Sequence, residues 1–170
     1  MKKITLFICS MILLIVLGAC QSENEADVNI KELVHDYSIG QFDETVQASI
    51  DSHELIVTED GKEERFALPE DEFFVSIAPF ETYTHECAIH SLTGCQGELV
   101  EEDMHVTIKN SQGDLVMDEE MTTLENGFID LWLPRDDEYA IYIEKDGKVS
   151  EQTITTNKND YTCITTMQLL

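Results

Sequence analysis

The densest chemistry in the chain lies between His85 and Glu98, in the run His85-Glu86-Cys87-Ala88-Ile89-His90-Ser91-Leu92-Thr93-Gly94-Cys95-Gln96-Gly97-Glu98. Thiolates are soft ligands that favour Cu(I) or Zn(II), and imidazole suits both valences of copper as well as zinc. Cys87 and His90 are three residues apart, a spacing at which one turn presents both to a single ion. Gly94 and Gly97 permit the tight backbone path that returns Cys95 to the same point. Cys163 is distant in sequence but falls in the last predicted strand. The candidate ligands are therefore Cys87, His90, Cys95 and Cys163, with His85 as a further candidate.

Structural zinc sites usually carry two cysteines in a short C-x2-4-C knuckle. Here seven residues separate Cys87 from Cys95 and the third cysteine is remote. Three thiolates with one or two histidines suit Cu(I) better, and zinc in a Cys3His set is the alternative. Cu(II) is a second valence that His90 would tolerate. The competing structural reading is a Cys87–Cys95 disulfide that pins an irregular loop. The two readings are compatible, because a reversible disulfide would release the metal on oxidation. His105 is a secondary candidate on a strand, while His35 and His53 read as surface residues.

The count of cysteines bears on the compartment. Of the five, Cys9 lies in a leader: Met1-Lys2-Lys3, an apolar run from Ile4 to Leu17, then Gly18-Ala19 before Cys20. This is a secretory pattern, and its apolar run falls short of the roughly 20 residues of a membrane span. Leu17-Gly18-Ala19-Cys20 resembles a bacterial lipobox, which implies cleavage before Cys20 and a lipid on its sulfur. Three thiols then remain outside the cytoplasm, where paired cysteines usually oxidise. An odd number leaves one unpaired or sets all three to act together.

Charge excludes other classes. The 170 residues carry 10 Lys+Arg against 35 Asp+Glu, a formal net charge of −25. Nucleic acid is excluded as a partner, because phosphate binding needs a basic stripe. Charge would also repel an anionic membrane surface, so the Cys20 lipid must supply any anchorage. At 42% hydrophobic the chain can bury a core. No Ser-His-Asp order, phosphate loop or supported carboxylate pair is present, so the chain does not read as an enzyme, a copper-reducing thiol activity aside.

These side chains must be positioned by a mainly β fold with a small N-terminal helical segment. Residues 1–19 read as the lipoprotein signal peptide, 20–27 as a tether, and 28–80 as a small α+β region. Residues 81–98 form the Cys/His loop, and 99–170 a C-terminal antiparallel β-sandwich of prealbumin-like or Ig-like type. Ile30, Leu33, Val34 and Tyr37 are spaced for an amphipathic helix over 28–39, and a second short helix is expected over 43–50. Asp60-Gly61 marks a hairpin. Strands are expected at 73–77, 105–109, 115–117, 128–133, 139–143 and 149–155, with turns at Gly113, Asn126-Gly127 and Asp146-Gly147. A closing strand spans 161–169. On it Met167 would lie about 13 Å from Cys163 at roughly 3.3 Å per residue. That is too far to share an ion held at about 2.3 Å from each sulfur. Met167 is therefore assigned to the core, with Tyr161 and Leu169.

Three stretches resemble the signature of the CueP family of periplasmic copper-binding proteins: Glu86 to Leu99, Asn126-Gly127-Phe128-Ile129-Asp130-Leu131-Trp132-Leu133-Pro134, and Thr162-Cys163-Ile164-Thr165-Thr166-Met167-Gln168-Leu169. The resemblance runs from about His53 to the C-terminus. It implies copper binding outside the cytoplasm through Cys87, Cys95 and Cys163 with His90, and a role in copper resistance. A copper-accepting protein or a thiol-disulfide reductase is the implied kind of partner. The lipobox is a departure from soluble members and points to the outer face of a bacterial cell membrane.

The leader makes a prediction of its own. Cys20→Ser, or globomycin-type inhibition of lipoprotein processing, should release the protein from the membrane fraction. Unchanged membrane association of Cys20→Ser would contradict lipid anchoring.

Overall fold

The predicted N-terminal helix forms as α1 (Ile30–Ile39) in the computed structural model, which describes residues 28–43 and 45–170. The signal peptide, the tether and Cys20 lie outside the described residues. No helix among the described residues is long and apolar enough to cross a membrane. Asn29 caps α1, its side chain accepting from the Glu32 N–H, and the Gly40 N–H closes the last turn on the Asp36 carbonyl. Such capping satisfies backbone groups that a helix end leaves without partners. The apolar stripe of Ile30, Leu33, Val34 and Tyr37 faces the protein.

The remaining elements are strands: β1 (Val46–Ile50), β2 (Glu54–Glu59), β3 (Lys62–Ala67), β4 (Glu72–Ile77), β5 (His90–Ser91), β6 (Asp103–Asn110), β7 (Leu115–Thr122), β8 (Ile129–Pro134), β9 (Glu138–Lys145), β10 (Lys148–Thr155) and β11 (Cys163–Ile164). They form three sheets, ordered β3-β2-β1-β5, β10-β9-β6-β7 and β11-β4-β8. Asp60-Gly61 and Asp146-Gly147 turn their hairpins with positive φ at both residues (49° and 77°, 53° and 79°). That is the turn geometry that matches strand twist.

The β4–β8 pair is the middle layer. Phe73, Val75 and Ile77 of β4, with Ile129, Leu131 and Leu133 of β8, pack against Met104, Val106 and Ile108 of β6 and Tyr139, Ile141 and Ile143 of β9. Two inner faces meeting in this way make the sandwich core. The opposite face carries Phe74 and Trp132, which pack with α1 and with Ala48, Ile50, Leu55 and Val57 of the first sheet. β4 is buried on both faces from Phe73 to Ile77, which explains why apolar residues occupy adjacent positions there instead of alternating.

Three sequence expectations are corrected. Residues 46–50 are a strand, not a helix. Ala48 and Ile50 alternate inward and pair with Val57 and Leu55 of β2, and this tertiary pairing overrides a weak local preference. The closing strand is also not continuous. β11 runs parallel to β4 for Cys163 and Ile164 only, and the chain rejoins at an isolated Phe80–Gln168 bridge. Ala78 N–H donates to the Ile164 carbonyl and Phe80 N–H to the Met167 carbonyl, so three steps of the closing segment lie against two of its partner, a bulge that interrupts the ladder. The distance argument along that strand therefore does not apply, yet Met167 and Leu169 are buried in the sandwich core. Tyr161 is not core: it is 65% exposed.

Met167→Ala should lower unfolding stability by about 2–5 kcal/mol, the usual result of emptying a packed core position, measured by urea or thermal melts. Unchanged stability would place Met167 outside the core.

Candidate metal centre

Four separate devices bring the ligand side chains together. The first holds the irregular arm before β5. The Glu98 carboxylate accepts the N–H groups of Glu81 (2.6 Å), Thr82 (2.8 Å) and Tyr83 (3.4 Å), and the Thr84 hydroxyl donates to the Thr165 carbonyl at 2.7 Å. The second is the pairing of β5 with β1, which sets His90 opposite Ile50. The third is the turn after β5: the Ser91 carbonyl accepts from Gly94 N–H (3.3 Å) and Cys95 N–H (2.9 Å), folding Cys95 back. The fourth is the parallel pairing of β11 with β4, which sets Cys163 beside Ser76.

A close backbone crossing locks the loop from below. Gly97 N–H donates to the Asn126 carbonyl at 2.7 Å. A Cβ on Gly97 would stand 2.5 Å from the Gly127 carbonyl oxygen, and Gly127 itself has φ of 78°. Only glycine satisfies both demands. The next residue, Phe128, is fully buried, and its ring lies 4.5 Å from that of His90 and 6.4 Å from that of His85.

The Sγ atoms of Cys87, Cys95 and Cys163 and a ring nitrogen of His90 all lie within 4.8 Å of one another. All three cysteines are free thiols, with Cys87 and Cys95 sulfurs 3.7 Å apart. Two sulfurs bound at about 2.3 Å to one ion in tetrahedral geometry stand about 3.8 Å apart, so the pair already has a chelating separation. His90 is completely buried, and neither ring nitrogen has a hydrogen-bond partner. A buried polar group left unpaired is costly, and a metal ion would satisfy it. The donor set of three sulfurs and one imidazole fits Cu(I) or Zn(II).

The site is not sealed. An open cleft of about 750 Å3 is lined by His85, Glu86, Cys87, Tyr161 and Cys163, among others, so an ion has a path to the sulfurs. His85 is exposed in this cleft and stands outside the four-atom group. His105 is on the outer face of β6, held between Asp118 (2.8 Å) and Glu120 (2.9 Å), which raise its pKa. His53 contacts Asn159 and His35 lies exposed on α1. Sequence reasoning gave no role to Glu98, Phe128 or Thr162. All three lie inside the motif stretches, but their partners are distant in sequence and leave no local signal.

The three thiols differ in acidity. The Cys163 thiol beside Cys95 holds the latter well below the ordinary thiol range, with the His90 and His85 imidazoles adding to the effect. The same interaction with Cys95, together with burial, raises Cys163, and burial raises Cys87. The metal-free centre thus loses its first proton most readily at Cys95 and holds the protons on the other two sulfurs more tightly. Binding a metal through all three expels those protons.

The family model described as "Periplasmic copper-binding protein CueP" matches residues 29–168. A solved structure titled "Crystal Structure of S.CueP" is 33% identical and superposes with a TM-score of 0.80 over 85% of this chain and 91% of that one. No curated protein matches the chain.

In reduced, metal-free protein at pH 6, iodoacetamide should label Cys95 before Cys87 and Cys163, because only thiolate reacts and Cys95 is the sulfur whose pKa is held below the usual thiol range. Peptide mass spectrometry reads the order. Labelling led by Cys163 would contradict the assignment.

Proposed function

The chain belongs to the CueP family of periplasmic copper-binding proteins, and from that premise we propose that it holds one Cu(I) outside the cytoplasm through Cys87, Cys95, Cys163 and His90, tethered to the membrane by a lipid on Cys20. The role is sequestration or onward transfer, contributing to copper resistance. The observation that carries the reading is the convergence of three thiol sulfurs on a buried imidazole with no hydrogen-bond partner. Such a soft, largely preformed set favours Cu(I) over hard cations, and the cleft beside it gives a route for exchange. Zinc in the same Cys3His set is the competing cargo.

The 3.7 Å approach of Cys87 to Cys95 supports a second reading. Two thiols and two Cu(II) ions give one disulfide, two Cu(I) ions and two protons, after which an external dithiol must restore the thiols. One thiol consumed per Cu(II) reduced is its signature.

Titration of reduced protein against a Cu(I) chelator should show one Cu(I) per chain. Cys87→Ser, Cys95→Ser and Cys163→Ser should each weaken the competition at least about tenfold, and His90→Ala should weaken it less. Zinc should not displace the bound copper. Unchanged affinity in all three serine variants would defeat the three-thiolate site.

A further inference from the structure

We propose that the Thr162 hydroxyl is the positioning group that fixes His90 relative to Cys163, and so decides whether the imidazole reaches the ion held by the sulfurs. The inference rests on the copper reading above. It concerns a residue that touches no metal.

His90 and Cys163 come from different sheets: β5 pairs with β1, and β11 with β4. Coordinated side chains must be held to a fraction of an ångström, so two sheets that shift against each other would lose the fourth ligand. Thr162 joins them. Its backbone N–H donates to the Ala88 carbonyl at 3.0 Å. Its carbonyl accepts from Ser76 N–H at 2.8 Å, on the β4 side. With that carbonyl turned to β4, the side chain serves the other direction: its Oγ1 accepts from His90 N–H at 3.1 Å and donates to the Ile50 carbonyl at 2.6 Å.

The hydroxyl thus sits at the register position where His90 faces Ile50, one residue before the Cys163 ligand. Thr162, His90 and Ile50 are all buried. Water is not at hand to replace a lost bond, and a methyl group can neither accept from His90 nor donate to Ile50. Ala88 and His90 flank Ile89 on the arm that carries Cys87. Thr162 therefore grips that arm at two points while its own chain continues directly into Cys163.

The test compares Thr162→Val, which keeps shape and removes the hydroxyl, with Thr162→Ser, which keeps the hydroxyl. Cu(I) affinity is read by chelator competition, and the His90 ring nitrogens by ¹⁵N NMR of the Cu(I)-loaded protein. Thr162→Val should lose as much affinity as His90→Ala does, the ceiling for a group that acts only by orienting that ligand. Its His90 ring signals should revert to those of the metal-free protein. Thr162→Ser should match the wild type in both. Adding His90→Ala to Thr162→Val should weaken binding no further, as expected of two changes that remove one contact. Should Thr162→Val not fold, Thr162→Ala replaces it in the same comparison. Wild-type affinity without the hydroxyl, loss of affinity in Thr162→Ser, or additive losses in the double variant would each overturn the proposal. None of these results touches the three-thiolate reading, which stands or falls on the serine variants.

Discussion

The metal centre depends on a pairing only two residues long. β11 runs beside β4 just far enough to carry Cys163 into register with Ser76. This brings the last cysteine of the chain to a loop that already holds Cys87, His90 and Cys95. Parallel pairing between segments so distant in sequence carries a loop-closure cost that local contacts do not. It is sustained because β4 is the middle strand of its sheet, covered on one face by the sandwich core and on the other by α1 and the first sheet. The rigid middle layer is what a two-residue strand can lean on.

The loop side has the opposite character. Cys87 and Cys95 are on irregular backbone, and they hold their places through point contacts: Glu98 on three consecutive amides, the Gly97–Gly127 crossing, and the turn onto Ser91. One flank of the site is therefore fixed by sheet pairing and the other by a few hydrogen bonds beside an open cleft. Loops with few packed contacts open more readily than strands. An arrangement of this kind lets an ion enter or leave through the Cys87 side while His90 and Cys163 stay buried. The acid–base asymmetry agrees with it, since the pKa of the partly exposed Cys95 is lowered and that of the buried Cys163 is raised.

Much of this was legible in the chain itself, for identifiable reasons. Alternating strands separated by Asp-Gly turns announce their hairpins, because the pattern and the turn are both local. Cys87, His90 and Cys95 stand out for the same reason. The helix expected over 43–50 becomes β1 because pairing with β2, a tertiary effect, decides it. The closing strand is interrupted by a bulge between Ile164 and Met167, visible only in the bonds this segment makes to Ala78 and Phe80, far earlier in the sequence. Tyr161 reads as core on a strand over 161–169 and is exposed because the strand begins only at Cys163. Thr162 and Glu98 act through partners far away in sequence, so their roles appear only when those partners are in place.

The central claim is that one ion sits among three sulfurs and one imidazole. X-ray absorption at the copper edge of the reduced, Cu(I)-loaded protein tests it most directly. The account predicts a single site with about three sulfur neighbours near 2.3 Å, a separation typical of metal–thiolate bonds, and one imidazole nitrogen. A two-sulfur linear site with no imidazole contribution would contradict it.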